Sequence, residues 1–321
     1  MSATVPRPRV IIDCDPGHDD VLAIAVAAAH CDVAGITVVA GNSGLPNTVR
    51  NALIATDLFG LEHVPVHAGA DRPLVAPPRT AALAHGESGL EGPTLFEPSR
   101  KEDSNDAVGF LISMLRGEEG LWLVPTGPLT NVALALRAAP DLVHRIAGIS
   151  LMGGSATHGN VSATAEFNIW ADPEAAAIVF ACGAPIRMCG LNVTHQVDAD
   201  SAFIDALRGL NTFSGTFAAD MVVFYRTFQA GLRAIADADA TCPLHDPCAV
   251  LALTHPELFT FAKRHVDIEL IGSHTRGMTI VDARPWRSSD AQIDVAFTAN
   301  REPLLQLVLD AVHTTGRLDS P

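Results

Sequence analysis

Four aspartates, Asp13, Asp15, Asp19 and Asp20, fall within eight residues in the stretch Val10-Ile11-Ile12-Asp13-Cys14-Asp15-Pro16-Gly17-His18-Asp19-Asp20. Carboxylates crowded this closely repel one another unless a cation neutralises them. A hard divalent ion such as Ca²⁺ or Mg²⁺ takes an all-oxygen ligand set of this kind. The elements that carry them follow from the flanking residues. The apolar run before Asp13 reads as a buried strand, and Val21–Ala29 reads as a helix. Asp13 and Asp15, two apart, would project the same way from a strand. Asp19 and Asp20 fall in the first helical turn, where the positive end of the helix dipole favours anions. A solvated acidic turn with an Asp helix cap is the plainer reading of the same residues.

Along the chain, β-type apolar runs alternate with helical patterns. Strands are expected at 9–13, 33–40, 64–67, 120–125, 147–152 and 185–189, and helices near 18–30, 46–60, 105–117, 128–138, 172–182 and 200–208. That alternation predicts an α/β fold: a single open, mainly parallel, doubly wound sheet flanked by helices. Small additional C-terminal strands are expected at 265–271, 277–282 and 291–297, with a closing helix over 301–314. Residues 71–104 are Pro- and Gly-rich and aperiodic, which suggests a functional loop. Residues 212–240 begin as an aromatic helix and lose their pattern in Ala234–Ala240. No repeat or boundary divides the chain, so residues 1–321 read as one domain.

In an open parallel sheet, ligands sit beyond the carboxyl ends of the strands. Several polar clusters fall there: Gly41-Asn42, Pro125 to Asn131, and Gly153-Gly154. Two more, Glu166-Phe167-Asn168 before Asp172 and His245-Asp246-Pro247, precede helices. Singly, these are turn residues and helix caps. Together they outline one crevice.

Composition narrows the partners. The formal charge is −15 and only Lys101 and Lys263 are lysines, which argues against nucleic acid and anionic membranes. No apolar run is long enough to cross a bilayer, and none near the N-terminus forms a signal-peptide core, so a cytoplasmic protein is expected. Six cysteines without a CxxC pair read as reduced core thiols.

Five motifs in order carry a resemblance. Asp13 to Asp20, His85-Gly86-Glu87-Ser88-Gly89-Leu90, Thr126 to Asn131, Ala165-Glu166-Phe167-Asn168-Ile169 and His245-Asp246-Pro247 are similar to those of the inosine-uridine preferring nucleoside hydrolases. The resemblance implies an N-ribohydrolase that binds Ca²⁺, works as a homodimer or homotetramer, and takes a small-molecule ribonucleoside. It assigns Asp15, Asp20, Asp246 and the Thr126 carbonyl to the ion, with Asp13 orienting them. It assigns Asp19, Asn42, Asn160, Glu166 and Asn168 to ribose hydroxyls, with Met152 against the sugar. Cleavage would pass through an oxocarbenium-like transition state. Asp15 would accept the proton of a water positioned and acidified by the metal. His245 would protonate the departing base, and His85 would belong to the base pocket.

Two positions depart from the family pattern. His18 stands where an aliphatic residue is frequent and resembles pyrimidine-leaning members, although a surface residue at a helix start is equally compatible. Phe228, in the aromatic segment with Tyr225, stands where a Tyr is expected; it can stack on a base but offers it no hydroxyl. Two rival classes remain. A haloacid dehalogenase-type phosphohydrolase would show Thr or Val after the second Asp, where Pro16-Gly17 stand. A non-catalytic Ca²⁺- or ribose-binding protein is disfavoured by the joint presence of Asp15 and His245.

Overall fold

The computed structural model describes residues 7–233, 240–290 and 292–320. Residues 234–239 of the pattern loss expected in 234–240 therefore lie outside the described residues, as do residues 1–6 of the N-terminal reading. The main strands are β1 (Arg9–Cys14), β2 (Asp32–Val38), β3 (Val66–Ala68), β4 (Leu121–Pro125), β5 (Ile146–Met152) and β6 (Ile186–Cys189). A short ribbon pairs β7 (Asp198–Ala199) with β8 (Cys242–Pro243). β9 (Phe259–Ile268), β10 (Thr279–Asp282) and β11 (Ile293–Ala299) complete the set.

Among the described residues, the principal sheet runs β10-β9-β11-β6-β5-β4-β1-β2-β3. From β11 to β3 every neighbouring pair is parallel. β9 pairs antiparallel with both β11 and β10. Val10, Ile11 and Ile12 of β1 are fully buried, as a central parallel strand covered on both faces requires. Their side chains alternate between two cores. Val10 and Ile12 pack with helices His18–His30, Leu45–Leu58 and Arg301–Thr315. Ile11 packs with helices Ala107–Gly117, Thr130–Ala138 and Pro173–Phe180. Each such side chain contributes about 1.5–3 kcal/mol.

The additional C-terminal strands expected are present, with β9 and β10 antiparallel at one edge of the sheet. β9 starts at Phe259 rather than 265, because the Phe259-Thr260-Phe261 alternation already suits a strand, and β9 and β11 extend the main sheet. The segment 71–104 is largely irregular, with one short helix, Ala82–His85. The aromatic helix spans Phe213–Arg233.

Chain order reverses between β1 and β4: β2 and β3 extend to one side, β5 and β6 to the other. A crevice at the carboxyl ends is the consequence. Asp15 follows β1 and Thr126 follows β4, so the two flank it.

Candidate active site

A cavity of about 630 Å³ opens at this switch point, within the size range of small-molecule sites. Its floor is acidic. Asp13 Oδ1 accepts hydrogen bonds from Thr37 Oγ1 (2.6 Å) and Asn131 Nδ2 (2.8 Å). β1 ends at Cys14, so Asp15 begins the turn and takes different partners: its Oδ2 accepts from the Asn42 backbone N–H at 2.7 Å. Gly41 and Gly127 make room for it, since a Cβ on either would stand 2.0 or 2.4 Å from an Asp15 carboxylate oxygen. Asp20 Oδ2 accepts from Gly17 N and Asn42 Nδ2, and its Oδ1 from Thr126 Oγ1 at 2.8 Å.

Asp19, Asp20 and Asp246 each present a carboxylate oxygen within 4.8 Å of the others, and all three are buried. Asp246 occupies the N-cap position of helix Pro247–Thr254, yet its side chain makes no capping bond. Asp172, by contrast, is an ordinary cap: it accepts from Ala175 N and also ties Thr130 and Leu74. The helix-cap reading therefore holds for Asp172, while the Asp246 carboxylate is committed to Asp19 and Asp20. The buried Asp15 Oδ1 has no hydrogen-bond partner. A hard divalent cation fits this all-oxygen donor set and the orphaned oxygen.

The side wall is polar. Glu166 caps helix Phe167–Ala171 through Asn168 N (2.9 Å) and accepts from Gly154 N at 2.8 Å. Asn168 Nδ2 donates to the carbonyls of Thr126 (2.7 Å) and Met152 (3.2 Å). Asn160 Oδ1 accepts from Phe167 N.

The opposite end holds imidazoles and aromatic rings. His245 Nδ1 lies 2.7 Å from Thr194 Oγ1, and its ring lies 5.4 Å from that of His195. His85 and Tyr225 stack with centroids 5.4 Å apart, and Phe228 stacks on Tyr225 at 6.3 Å. Gln229 hydrogen-bonds the Tyr225 hydroxyl. Leu83 and Leu232 stand exposed at the mouth.

Burial dominates the electrostatics. It pushes Asp13 up to about 6 against the Thr37 and Asn131 side chains, and Glu166 up to about 7 against several backbone N–H donors. Desolvation followed by the Asp20 charge raises Asp19 to about 7 and holds Asp15 well above the ordinary carboxylate range. Asp246 is raised by burial and then by Asp19 and Asp20. A buried set that resists ionisation is what a bound cation would relieve. Burial also depresses His18 to about 4, His245 to about 3, and His85 below the ordinary histidine range.

The residues singled out from sequence converge here. Asp19, Asn42, His85, Thr126, Met152, Asn160, Glu166, Asn168, Tyr225, Phe228, His245 and Asp246 line the cavity, with Asp15 and Asp20 buried against its floor. The geometry groups Asp19 with Asp20 and Asp246, whereas the resemblance gave Asp19 to ribose. His18 is 2% exposed, which overturns its reading as a surface residue. Gln229, Thr194, His195 and Trp170 were not anticipated; only Gln229, one residue beyond the aromatic segment, left a trace in sequence.

The profile of the family described as inosine-uridine preferring nucleoside hydrolase matches residues 10–306. A protein of Photobacterium profundum named pyrimidine-specific ribonucleoside hydrolase RihA is 41% identical over 304 residues, covering 94% of this chain and 97% of its own. The solved purine-preferring ribonucleoside hydrolase from Gardnerella vaginalis superposes with a TM-score of 0.88 at 36% identity, covering 95% of this chain and 98% of that one. The plant nucleoside hydrolase PpNRh1 gives a TM-score of 0.88 at 31% identity, covering 96% of this chain and 100% of that one.

Proposed function

The chain belongs to the inosine-uridine preferring nucleoside hydrolase family, and from that premise we propose that it is a Ca²⁺-dependent hydrolase cleaving pyrimidine ribonucleosides to free base and ribose. The observation that carries the reading is the buried cluster Asp19, Asp20 and Asp246 beside the orphaned oxygen of Asp15 on the cavity floor. Asp15, Asp20, Asp246 and the Thr126 carbonyl would hold the ion. Bound there, Ca²⁺ would position and acidify the attacking water and engage the vicinal ribose hydroxyls.

Asp15 is the general base. The Asn42 N–H fixes Oδ2 and so orients the carboxylate; Oδ1, which would also meet the ion, has a second lone pair for the water's proton. Asp19, Asn42, Asn160, Glu166 and Asn168 grip the sugar hydroxyls, and Met152 packs against its ring. These pre-oriented carboxylates favour the positive charge that develops on the ribose. His245 donates to the departing base. Before substrate binds, burial holds its ring at about 3; negative charge growing on the base favours its protonated form. Tyr225 and Phe228 stack on the base, and the Gln229 amide can both donate to and accept from a pyrimidine edge.

The pyrimidine preference draws on Gln229 and Phe228 in this pocket and on the name of the Photobacterium relative. A homodimer or homotetramer in the cytoplasm is the working form we assign. Base release from uridine, cytidine, inosine and adenosine tests the reading. Uridine and cytidine are expected to lead; a clear lead for inosine overturns the pyrimidine assignment. Ca²⁺ binding without cleavage of any nucleoside would favour the binding-protein reading instead.

A further inference from the structure

Thr279 opens β10 at the edge of the sheet, separated from β5 by β9, β11 and β6. Its side chain nevertheless reaches the turn that follows β5. Thr279 Oγ1 accepts from Ser155 N at 2.8 Å and donates to the Ser155 carbonyl oxygen at 2.6 Å. Both residues are buried, so one hydroxyl satisfies the two backbone groups of Ser155 away from water. Gly154 beside it lies in the left-handed region (φ 71°), and a Cβ there would stand 2.4 Å from Thr279 Cγ2. Glycine lets the strand and the turn come this close. The same turn holds the polar wall of the cavity. Gly154 N donates to Glu166 Oε2 at 2.8 Å, and the Met152 carbonyl accepts from Asn168 Nδ2 at 3.2 Å. The bonds to Glu166 from Asn168 N and Ile169 N come from the helix that Glu166 itself caps. Gly154 is therefore the group that ties this carboxylate to the sheet.

From these contacts we infer that Thr279 is a positioning residue for the reaction: its hydroxyl fixes the turn 152–155 and, through Gly154, aims the Glu166 carboxylate at the 5′-hydroxyl of the ribose. The inference rests on the nucleoside hydrolase reading for its substrate. With the vicinal 2′- and 3′-hydroxyls on the cation and the base at the imidazole end, the 5′-hydroxyl is the one left for the wall at Glu166. The residues just before β10 brace the other side of that wall. Arg276 Nη2 meets both Glu174 carboxylate oxygens at 2.7 and 2.8 Å, and a Cβ on Gly277 would stand 2.8 Å from Trp170 Cα. The β9–β10 hairpin thus grips the Glu166 helix start from two directions and takes a part in reading the sugar.

The test compares two substrates and one amide. Thr279→Val keeps the branched shape of the side chain and removes its hydroxyl. On uridine it is expected to lower kcat/KM about tenfold, the size of one net hydrogen bond. On 5′-deoxyuridine, which offers Glu166 no hydroxyl, the loss is expected to be about twofold. Equal losses on both substrates overturn the inference. Thr279→Ser retains the hydroxyl and should cleave uridine within about twofold of wild type; a loss as large as that of Thr279→Val overturns the inference too. Hydrogen exchange supplies a readout without substrate. The Gly154 N–H is expected to exchange about tenfold faster in Thr279→Val than in wild type, and an unchanged rate overturns the inference. If Thr279→Val does not fold, Thr279→Cys, whose thiol is a weaker donor and acceptor, carries the same comparisons. A wild-type protein that cleaves neither substrate defeats the nucleoside hydrolase reading, whereas exchange at Gly154 still decides whether Thr279 holds the turn.

Discussion

Replacing Asp246 by Asn removes one of three mutually close buried carboxylates and leaves an amide that can donate to Asp20. In metal-free protein this should stabilise the fold. If Asp246 is ionised, one charged neighbour within 4.8 Å repels it by at least about 3.5 kcal/mol at an effective dielectric constant of about 20. If it takes a proton instead, moving it from its ordinary 3.8 to the protonated form at about pH 7 costs about 4.4 kcal/mol. Both routes give a penalty of about 4 kcal/mol that the amide escapes. With an unfolding entropy of about 2.1 cal/mol/K per residue, that penalty corresponds to a Tm rise of about 6 °C for a chain of this length. The assay is calorimetry of wild type and Asp246→Asn in chelator and again with excess Ca²⁺. Wild type should gain about 2.7 kcal/mol when Ca²⁺ is present at about a hundred times its Kd. The variant should start higher and gain less than half as much. A variant that melts lower than wild type in chelator, yet keeps the whole Ca²⁺ gain, would refute the view that these carboxylates are held together for a cation.

Other outcomes follow from the same geometry. Asp15→Asn should leave the fold intact and reduce turnover by about 10³-fold, within the range of a lost general base; retention of even a tenth of the activity contradicts its role. His245→Ala should cost about 10²-fold on uridine and far less on p-nitrophenyl riboside, which needs no acid; equal losses on both refute proton donation. Glu166 and Asp13 have folded values raised to about 7 and about 6, so their protonated forms favour the fold. That contribution is complete below their ordinary 4.5 and 3.8 and is lost as pH rises through about 7 and about 6, so metal-free protein should melt progressively lower across this window. A flat wild-type profile would contradict this prediction, and an undiminished slope in Glu166→Gln would place the pH sensitivity outside Glu166.

Much of the site was legible because strand ends in a parallel sheet deliver their residues to one edge. Asp15, Asn42 and Thr126 follow β1, β2 and β4, and each could be placed by locating an apolar run and reading the next polar residue. Helix-cap chemistry was less decisive. Asp172 and Asp246 both precede a proline and look alike in sequence, and only tertiary neighbours separate the true cap from the residue facing Asp19 and Asp20. His18 was ambiguous for the same reason. Burial at a helix start depends on what packs over it, here the Phe213–Arg233 helix and Glu91, both distant in sequence. Thr194 and His195 lay beyond reach, because they approach His245 across about fifty residues with no periodic signal. The start of β9 was missed because Lys263 and Arg264, polar residues in a partly exposed strand, hide its alternation.

The most direct test of the account is release of free base and ribose from uridine, cytidine, inosine and adenosine, in chelator and after Ca²⁺ is restored. Cleavage that chelator abolishes and Ca²⁺ recovers, with the pyrimidine nucleosides ahead, is the expected result. Undiminished cleavage by protein shown to be metal-free, or no cleavage of any nucleoside by protein with Ca²⁺ bound, would contradict it.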